Sequence, residues 1–263
     1  MPSPGRVEWR EERAGAGRSF LLHRAPGPVP GVLWPPPAGG GRPPPAVLLF
    51  HGGSGHKRSG RHLRMAPRLA AAGLAVIALD APWHGDRASR PLDPPAYQAL
   101  IAADGIGEVT GRVTAEWLDA VAALGGLGLA DAGRVSVFGM SMGARFGLPA
   151  AAALGGRLRC AVLGKFGISQ SAPLHPGLRA PALLTAAARA VSAPVLYHVQ
   201  RGDELFPLEG QLALFGALGS ADKRLAARAG PHGQTLPRDE ESWTRFLAAR
   251  AAGDGGDGAA AGR

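Results

Sequence analysis

The sequence predicts an α/β fold, in which helices cover both faces of a doubly wound, mostly parallel sheet. Two observations predict it. From about residue 45 onward, short apolar runs alternate with longer segments that have a helical pattern of apolar residues. The short runs are almost wholly apolar, which is typical of strands buried on both faces of a parallel sheet. An alternation of strand and helix in this form favours right-handed βαβ units.

The runs that predict parallel strands are bounded by turn residues. They are AVLLF (46–50), LAVIALD (74–80), RVSVF (134–138), CAVLG (160–164) and PVLYHVQ (194–200). We expect a last strand within DKRLAARAG (222–230). The predicted helices cover residues 59–72, 110–124, 141–154, 208–218 and 239–251.

The two ends of the chain differ in pattern from this central part. VEWR, SFLLHR and VPGVLW, near the N-terminus, predict short strands that form an antiparallel edge of the sheet. PPPAGGGRPPP (35–45) predicts a surface turn, because it is too rich in proline and glycine for a helix or a strand. At the other end, DGGDGAAAGR predicts disorder. We therefore expect one domain over residues 1–252 and a disordered tail over residues 253–263.

Composition and charge exclude several classes of function. The formal net charge is +9, but the sequence contains neither a long basic block nor aromatic residues interleaved with arginines, so we expect no nucleic-acid partner. Cys160 is the single cysteine, which excludes an internal disulfide. No segment is apolar for long enough to span a bilayer, and the charged N-terminus lacks the apolar core of a signal peptide. We expect a cytoplasmic protein without a membrane partner.

The stretch GMSMG, residues 139–143, lies where a predicted strand is followed by a predicted helix. A serine at such a position is typical of a nucleophile elbow, a sharp turn that projects the hydroxyl at the C-terminal edge of a sheet. The flanking glycines let the strand and the helix approach each other closely. On this motif alone, a glycine-rich turn without chemistry is an equal alternative, because the chain contains 40 glycines.

A serine nucleophile needs a base, and the base needs an acid that orients it. In α/β enzymes with a nucleophile elbow, these residues follow in the order serine, acid, histidine. Between Asp131 and Asp203 the sequence contains no aspartate or glutamate, and Lys165 lies where some such enzymes place the acid. Beyond Asp203 the only histidine is His232, in GPHGQ. The order of residues predicts His232 as the base for Ser141, and an exposed loop histidine is the alternative.

Four carboxylates that follow the strand predicted at 194–200 are candidates for the acid: Asp203, Glu204, Glu209 and Asp222. Asp203 is favoured because it comes just after that strand, in RGDELFP, and therefore at the C-terminal edge of the sheet. The neighbouring Glu204 is the second choice. Glu209 is expected to begin a helix, where an acidic side chain suits the helix dipole. A turn or cap aspartate without a catalytic role is the alternative for Asp203.

HGGSG, residues 51–55, follows the first predicted parallel strand and offers backbone donors for an oxyanion. The loop after this strand normally provides one N–H of an oxyanion hole, and the residue after the nucleophile provides the other. This rule assigns Gly53, with Gly52 beside it, and Met142 as donors. We expect His51 to have a structural role beneath the loop.

Together, HGGSG, GMSMG, RGDELFP and GPHG resemble the α/β-hydrolase superfamily, on the side of its serine esterases and dienelactone hydrolases. DAPWHGDR (80–87) is similar to a further stretch common there, and the resemblance covers roughly residues 18–250. It implies an α/β-hydrolase fold and a Ser–His–Asp enzyme without a metal or organic cofactor. Dienelactone hydrolases use a cysteine nucleophile, whereas this chain has Ser141. The resemblance therefore implies hydrolysis of ordinary carboxylic esters of small or medium size through an acyl-enzyme.

Several alternatives stay open beside this interpretation. A thioesterase, a peptidase or an acyltransferase would use the same Ser141, His232 and Asp203. A hydrolase fold retained as a non-catalytic binding protein is a further alternative, because a fold alone does not determine a function. A covalent serine probe distinguishes the catalytic from the non-catalytic alternative. The sequence predicts neither the oligomeric state nor the natural substrate.

The loops after the first two predicted parallel strands emerge at the same edge of the sheet. We therefore expect His56 and Trp83 to line the mouth of the pocket as substrate-binding residues. The histidines and aspartates of these loops fit no zinc spacing, so no metal site is predicted. We expect Asp80 to hold its own loop in place, with Arg87 either as its partner or as a contact for an anionic substrate.

The sequence also predicts a small lid or none. Only about 30 residues separate CAVLGK from PVLYHVQ, which is enough for one helix and a loop. The segment 86–108 is expected to fold over the site from the other side. Neither segment predicts an acyl chain length.

Overall fold

In the computed structural model, which describes residues 5–10, 17–38 and 41–251, the chain folds around one nine-stranded sheet. The strands are β1 Arg6–Trp9, β2 Arg18–His23, β3 Val29–Trp34, β4 Pro45–Phe50, β5 Ala75–Leu79, β6 Asp131–Met140, β7 Leu158–Gly164, β8 Val195–Gln200 and β9 Lys223–Arg228. The helices are α1 Gly60–Ala71, α2 Pro94–Asp104, α3 Ile106–Gly126, α4 Met142–Leu154, α5 Pro181–Ala190, α6 Leu208–Ala217 and α7 Pro237–Ala251.

The sheet has the order β1-β2-β3-β5-β4-β6-β7-β8-β9. The pairs β1–β2, β2–β3 and β3–β5 are antiparallel, and all pairs from β5 through β4 to β9 are parallel. The predicted fold class is confirmed, including the antiparallel N-terminal edge. Each predicted parallel strand lies within an observed strand or overlaps one closely.

Alternate residues of the central strands face two separate apolar layers. In β4, Leu48 belongs to a core that includes residues of α2 to α6, whereas Val47 and Leu49 belong to a core that includes α1 and α7. Successive strand residues point to opposite faces, so a strand covered by helices on both sides is apolar at every position. All six residues of β4 are indeed buried.

The parallel strands end at one edge of the sheet, and the loops that leave this edge carry the candidate site. The chain leaves β4 at Phe50, β6 at Met140, β7 at Gly164 and β8 at Gln200. Ligands of open α/β sheets bind outside the carboxyl ends of the strands. The motifs HGGSG, GMSMG and RGDELFP all begin at this edge.

The helix α2 was not among the predicted helices. It begins with Pro94 after Asp93, whose side chain accepts a hydrogen bond from the N–H of Ala96 at 2.9 Å. An aspartate cap followed by proline is a usual signal for a helix start. Between β7 and β8 the chain forms the short 3₁₀-helix Pro176–Leu178 and α5.

Two predictions about the ends of the chain are not tested by these elements. That residues 1–252 form a single domain stays a prediction, and the tail at 253–263 lies outside the described residues. Within the described part of the chain, no helix combines the length and the apolar character that crossing a bilayer requires.

Candidate active site

Ser141 lies between β6 and α4 in a backbone conformation that is rare for a residue with a side chain. Its φ is 60° and its ψ is −123°. Such a conformation costs about 1–3 kcal/mol and persists only where the surroundings hold it. Here the N–H of Ser141 donates to the carbonyl of Gly164 at 3.0 Å, and its carbonyl accepts from the N–H groups of Ala144 and Arg145.

The glycines that flank Ser141 lie where the chain passes itself most closely. A Cβ at Gly139 would overlap the carbonyl of Gly143, and a Cβ at Gly143 would overlap the carbonyl of Phe50. Only a glycine has room at either position, because the obstacle is backbone and cannot rotate away. The two glycines thus allow α4 to begin directly against β4 and β6.

Ser141, His232 and Asp203 form one hydrogen-bonded chain. The Nε2 of His232 lies 2.8 Å from the Oγ of Ser141, and the Nδ1 lies 2.8 Å from the Oδ2 of Asp203. A carboxylate only accepts hydrogen bonds, so Nδ1 carries the proton and Nε2 accepts from the serine hydroxyl. The other carboxylate oxygen accepts from the N–H groups of Leu205 and Phe206, both at 2.9 Å. The Asp203 side chain is fully buried.

The other candidate acids lie elsewhere. The carboxylate of Glu204 accepts from the backbone N–H of His232 at 2.8 Å and does not contact the ring. Glu209 lies in the first turn of α6, as the sequence suggested, and Asp222 pairs with arginines. Among these carboxylates, the one that reaches the imidazole is Asp203.

A cavity of about 380 Å³ opens in front of Ser141. Its walls include Gly53, Tyr97, Gln98, Leu205 and His232. A larger cavity of about 610 Å³ lies at the opposite edge of the sheet, among prolines that precede β4, and contains none of the candidate catalytic side chains. The candidate serine and histidine therefore lie at the smaller cavity.

Comparison with known proteins agrees with this architecture. A family model described as "Alpha/beta hydrolase family" matches residues 47–261. The chain belongs to the α/β-hydrolase family. No curated protein sequence matches it.

Among solved structures, this α/β hydrolase is similar to a novel cold-adapted esterase from an Arctic intertidal metagenomic library. The identity is 30%, the match covers 93% of this chain and 99% of that one, and the TM-score is 0.78. An acetyl xylan esterase from Paenibacillus sp. R4 is 22% identical over 95% of this chain and 90% of that one, with a TM-score of 0.74. A Klebsiella pneumoniae protein assigned to the dienelactone hydrolases is 20% identical over 89% and 97%, with a TM-score of 0.68. The last two show the fold alone.

The two predicted oxyanion donors of this hydrolase lie in the walls of two different spaces that Ser141 also lines, Gly53 in the main cavity and Met142 in a smaller one. Gly53 lies in the wall of the main cavity, where a Cβ would overlap the hydroxyl of Tyr97. Met142 is the first residue of α4, so its N–H has no acceptor one turn earlier within the helix. Both backbone positions are therefore compatible with donors that face a substrate.

His56 and Trp83 do not line the cavity beside Ser141, which corrects the expectation from their loops. His56 is exposed in a turn closed by Ser59, and Trp83 packs against the core with the Arg112 guanidinium 5.4 Å from its ring centroid. Their loops are tied to each other through the ion pair between Lys57 and Asp80, at 2.6 Å. Side chains of α2 line the cavity instead, Tyr97 and Gln98 among them.

The sequence analysis missed these side chains, Tyr97 and Gln98. Both are buried in α2, within the segment that was expected to fold over the site. The signal that could have located them was the helix start at Pro94. A helix that begins there and crosses the site turns one face toward the serine.

Lys165 is a second residue with positive φ, at 48°, and it holds the loop that carries His232. Its Nζ donates to the carbonyl of His232 at 3.1 Å, to the carbonyl of Gln234, and to the hydroxyl of Thr235 at 2.8 Å. Burial, together with the neighbouring charge of Arg61, lowers the pKa of Lys165 to about 8. Lys165, which lies where some such enzymes place the acid, thus ties the loop of His232 to the end of β7.

Two further polar residues near the site, His51 and Arg87, are held by contacts within the protein. His51 is buried, donates from Nδ1 to the carbonyl of Gly52 at 2.8 Å, and accepts at Nε2 from the N–H of Ala81. Burial holds the pKa of His51 well below its ordinary value, so the ring is neutral. The guanidinium of Arg87 pairs with Glu116 at 2.7 Å.

The Arg87 guanidinium also reaches Asp80, but it donates to the backbone carbonyl at 3.3 Å, whereas the Asp80 carboxylate pairs with Lys57. In the part of the chain that the structure describes, no three His, Cys, Asp or Glu side chains come together in a way that could hold a metal ion.

Proposed function

We propose that this chain is a serine hydrolase that cleaves carboxylic esters of small or medium size through Ser141, His232 and Asp203. The observation that carries the proposal is the unbroken hydrogen-bond chain from the Ser141 hydroxyl through the imidazole to the buried carboxylate, with 2.8 Å at each step. A non-catalytic binding protein has no need of this alignment. The substrate class is supported by the 30% identity to the cold-adapted esterase.

The arrangement supplies each step of an ester hydrolysis. As Oγ of Ser141 bonds to the carbonyl carbon, its proton passes to Nε2 of His232, while Asp203 holds the ring and stabilises the imidazolium. The carbonyl oxygen becomes an oxyanion, for which the N–H groups of Gly53 and Met142 are the proposed donors. The C–O bond to the alcohol then breaks, and the same proton moves from Nε2 to the departing oxygen.

The acyl-enzyme is cleared by the same groups. A water molecule gives a proton to Nε2 of His232 as it attacks the acyl carbon, and collapse of the second intermediate returns that proton to Oγ of Ser141. No step requires a metal ion or an organic cofactor. The proposed partner is a small-molecule ester. Thioesters, amides and acyl transfer use the same groups and are alternative outcomes of the test.

The test compares the wild type with Ser141→Ala on p-nitrophenyl acetate and butyrate. We expect the variant to lose about 10⁴-fold or more in kcat. Ser89→Ala, at an exposed loop serine, is the matched control and should retain wild-type activity. Mass spectrometry after treatment with a fluorophosphonate should find the label on Ser141. An inert wild type whose Ser141 is not labelled would support the non-catalytic alternative.

A further inference from the structure

A second, small cavity of about 30 Å³, here called the side branch, adjoins the main cavity of about 380 Å³ at Ser141. Ser141 and Tyr97 line both spaces, so the two meet at the serine. The walls of the branch include polar side chains, Gln98 and Arg145, beside the apolar side chains of Ile101, Met142, Leu174, Leu178 and Phe206. The two spaces at the serine therefore differ mainly in size, and each has more apolar than polar lining.

The position of His232 distinguishes the roles of these two spaces. His232 lines the main cavity and is not among the residues that line the branch. In the proposed mechanism, Nε2 must deliver a proton to the oxygen of the departing alcohol, so the alcohol lies on the side of His232. The acyl group must extend elsewhere from the same carbonyl carbon. The branch lies beside Met142, whose N–H is a proposed oxyanion donor.

We propose that the side branch is the acyl-binding subsite and that it restricts the enzyme to short apolar acyl groups, while the main cavity receives the alcohol. A water-sized group needs about 10–15 Å³ of accessible space, so the branch holds about two such groups. This corresponds to acetyl and propionyl groups. The inference rests on the proposed function and adds to it a substrate class: short-chain acyl esters of larger alcohols.

The walls of the branch are held in a way that opposes widening. Leu178 is the last residue of the 3₁₀-helix Pro176–Leu178, and the Arg145 guanidinium donates to its carbonyl. A second nitrogen of Arg145 donates to the side chain of Gln170 at 2.9 Å. From the other side, the Gln98 amide oxygen accepts from the backbone N–H of His175 at 2.8 Å.

These contacts assign a structural role to Arg145, one turn after Ser141. Arg145 is buried, burial lowers its pKa to about 10, and the acceptors of its hydrogen bonds are a carbonyl and an amide. The Arg145 guanidinium is therefore charged at neutral pH, and it anchors Leu178 through the hydrogen bond to its carbonyl. An acyl chain that needs more room on the side of Leu178 would have to break this anchor.

The test measures kcat/KM on p-nitrophenyl acetate, propionate, butyrate, hexanoate and octanoate. One alcohol is kept throughout, so that only the acyl group changes. We expect a fall of roughly tenfold or more in kcat/KM between propionate and hexanoate, since one misfitting methylene in an apolar pocket changes this ratio by about 10–200-fold. Leu178→Ala should raise kcat/KM for the hexanoate ester, relative to that for the acetate ester, by roughly tenfold. Leu178→Val, a smaller change, should shift the profile in the same direction if the alanine variant does not fold.

Leu205→Ala is the matched control, because Leu205 lines the main cavity and not the branch. It should leave the dependence on acyl length unchanged. A wild-type profile that is flat or rises toward octanoate, with Ser141 labelled by fluorophosphonate, would overturn the inference and leave the proposed function standing. No turnover on any ester and no label on Ser141 would overturn both.

Discussion

Lys165 allows a prediction about stability in which the sign and the size both follow from the structure. The residue is almost fully buried, at 2% exposure, and burial together with Arg61 lowers its pKa from 10.5 to about 8. Below pH 8 both the folded and the unfolded chain carry the ammonium ion, so the folded state bears the cost of burying it. Between pH 8 and 10.5 the unfolded chain binds more protons at this side chain than the folded chain does.

Stability rises with pH wherever the unfolded state binds more protons. Lys165 should therefore become less unfavourable to folding as the pH rises through this window. Each pH unit between the two pKa values corresponds to about 1.4 kcal/mol, so the change from pH 7 to pH 10 is about 2–3 kcal/mol. Lys165→Met lacks the titrating group and should not gain this stabilisation.

The assay is urea unfolding of the wild type and Lys165→Met at pH 7 and at pH 10. Other groups that titrate in this range, Cys160 among them, contribute equally to both proteins and cancel in the difference. We expect the free energy of unfolding of the wild type, minus that of the variant, to increase by about 2–3 kcal/mol over the range. A difference that stays constant or decreases with pH would refute the reasoning.

Two further predictions use matched pairs of neighbouring residues. Asp203→Asn should reduce kcat by about 10⁴-fold, because an amide favours the wrong tautomer of His232, whereas Glu204→Gln should reduce it by less than about tenfold. Equal losses in ester assays would contradict the assignment of the acid. Gly143→Ala should lower the free energy of unfolding by about 1–3 kcal/mol, because its Cβ would overlap a carbonyl of β4. Gly147→Ala, where the nearest atom is a side-chain carbon at 3.3 Å, should stay within about 1 kcal/mol of wild type in urea unfolding.

Much of the fold could be predicted from the sequence because the parallel strands are buried on both faces. Strands such as β4 and β5 are apolar at every position, and the turns between the strands are marked by glycine and proline. The sheet order follows less directly, since β5 lies between β3 and β4. Helix α2 escaped prediction because its apolar pattern is weak, although its cap and proline at Asp93 and Pro94 were visible.

The candidate catalytic residues could be predicted because few alternatives existed. Only one histidine follows Asp203 in the sequence, and no carboxylate lies between Asp131 and Asp203. The side chains around the cavity could not be predicted from the sequence, because the direction of a loop depends on contacts between residues that are distant in sequence. His56 and Trp83 lie on loops that the pair of Lys57 and Asp80 ties together, 23 residues apart.

The base of the proposed triad lies on a loop, and its position is set from the ends of neighbouring strands. Ser141 and Lys165 follow β6 and β7, and both have positive φ. The N–H of Ser141 donates to Gly164 at 3.0 Å, and that of Lys165 donates to His198 at 2.8 Å, so each continues the parallel hydrogen-bond pattern past its strand. The sheet thereby holds both residues in conformations that they would otherwise leave.

These strand ends hold different parts of His232. The hydroxyl of Ser141 contacts the ring, while Lys165 binds the backbone carbonyl. From the end of β8, Asp203 binds the ring and Glu204 binds the backbone N–H. Catalysis of this kind requires the base to be held within a fraction of an ångström of its productive position. A loop meets that requirement here because the ring, the N–H and the carbonyl of one residue are each tied to the sheet.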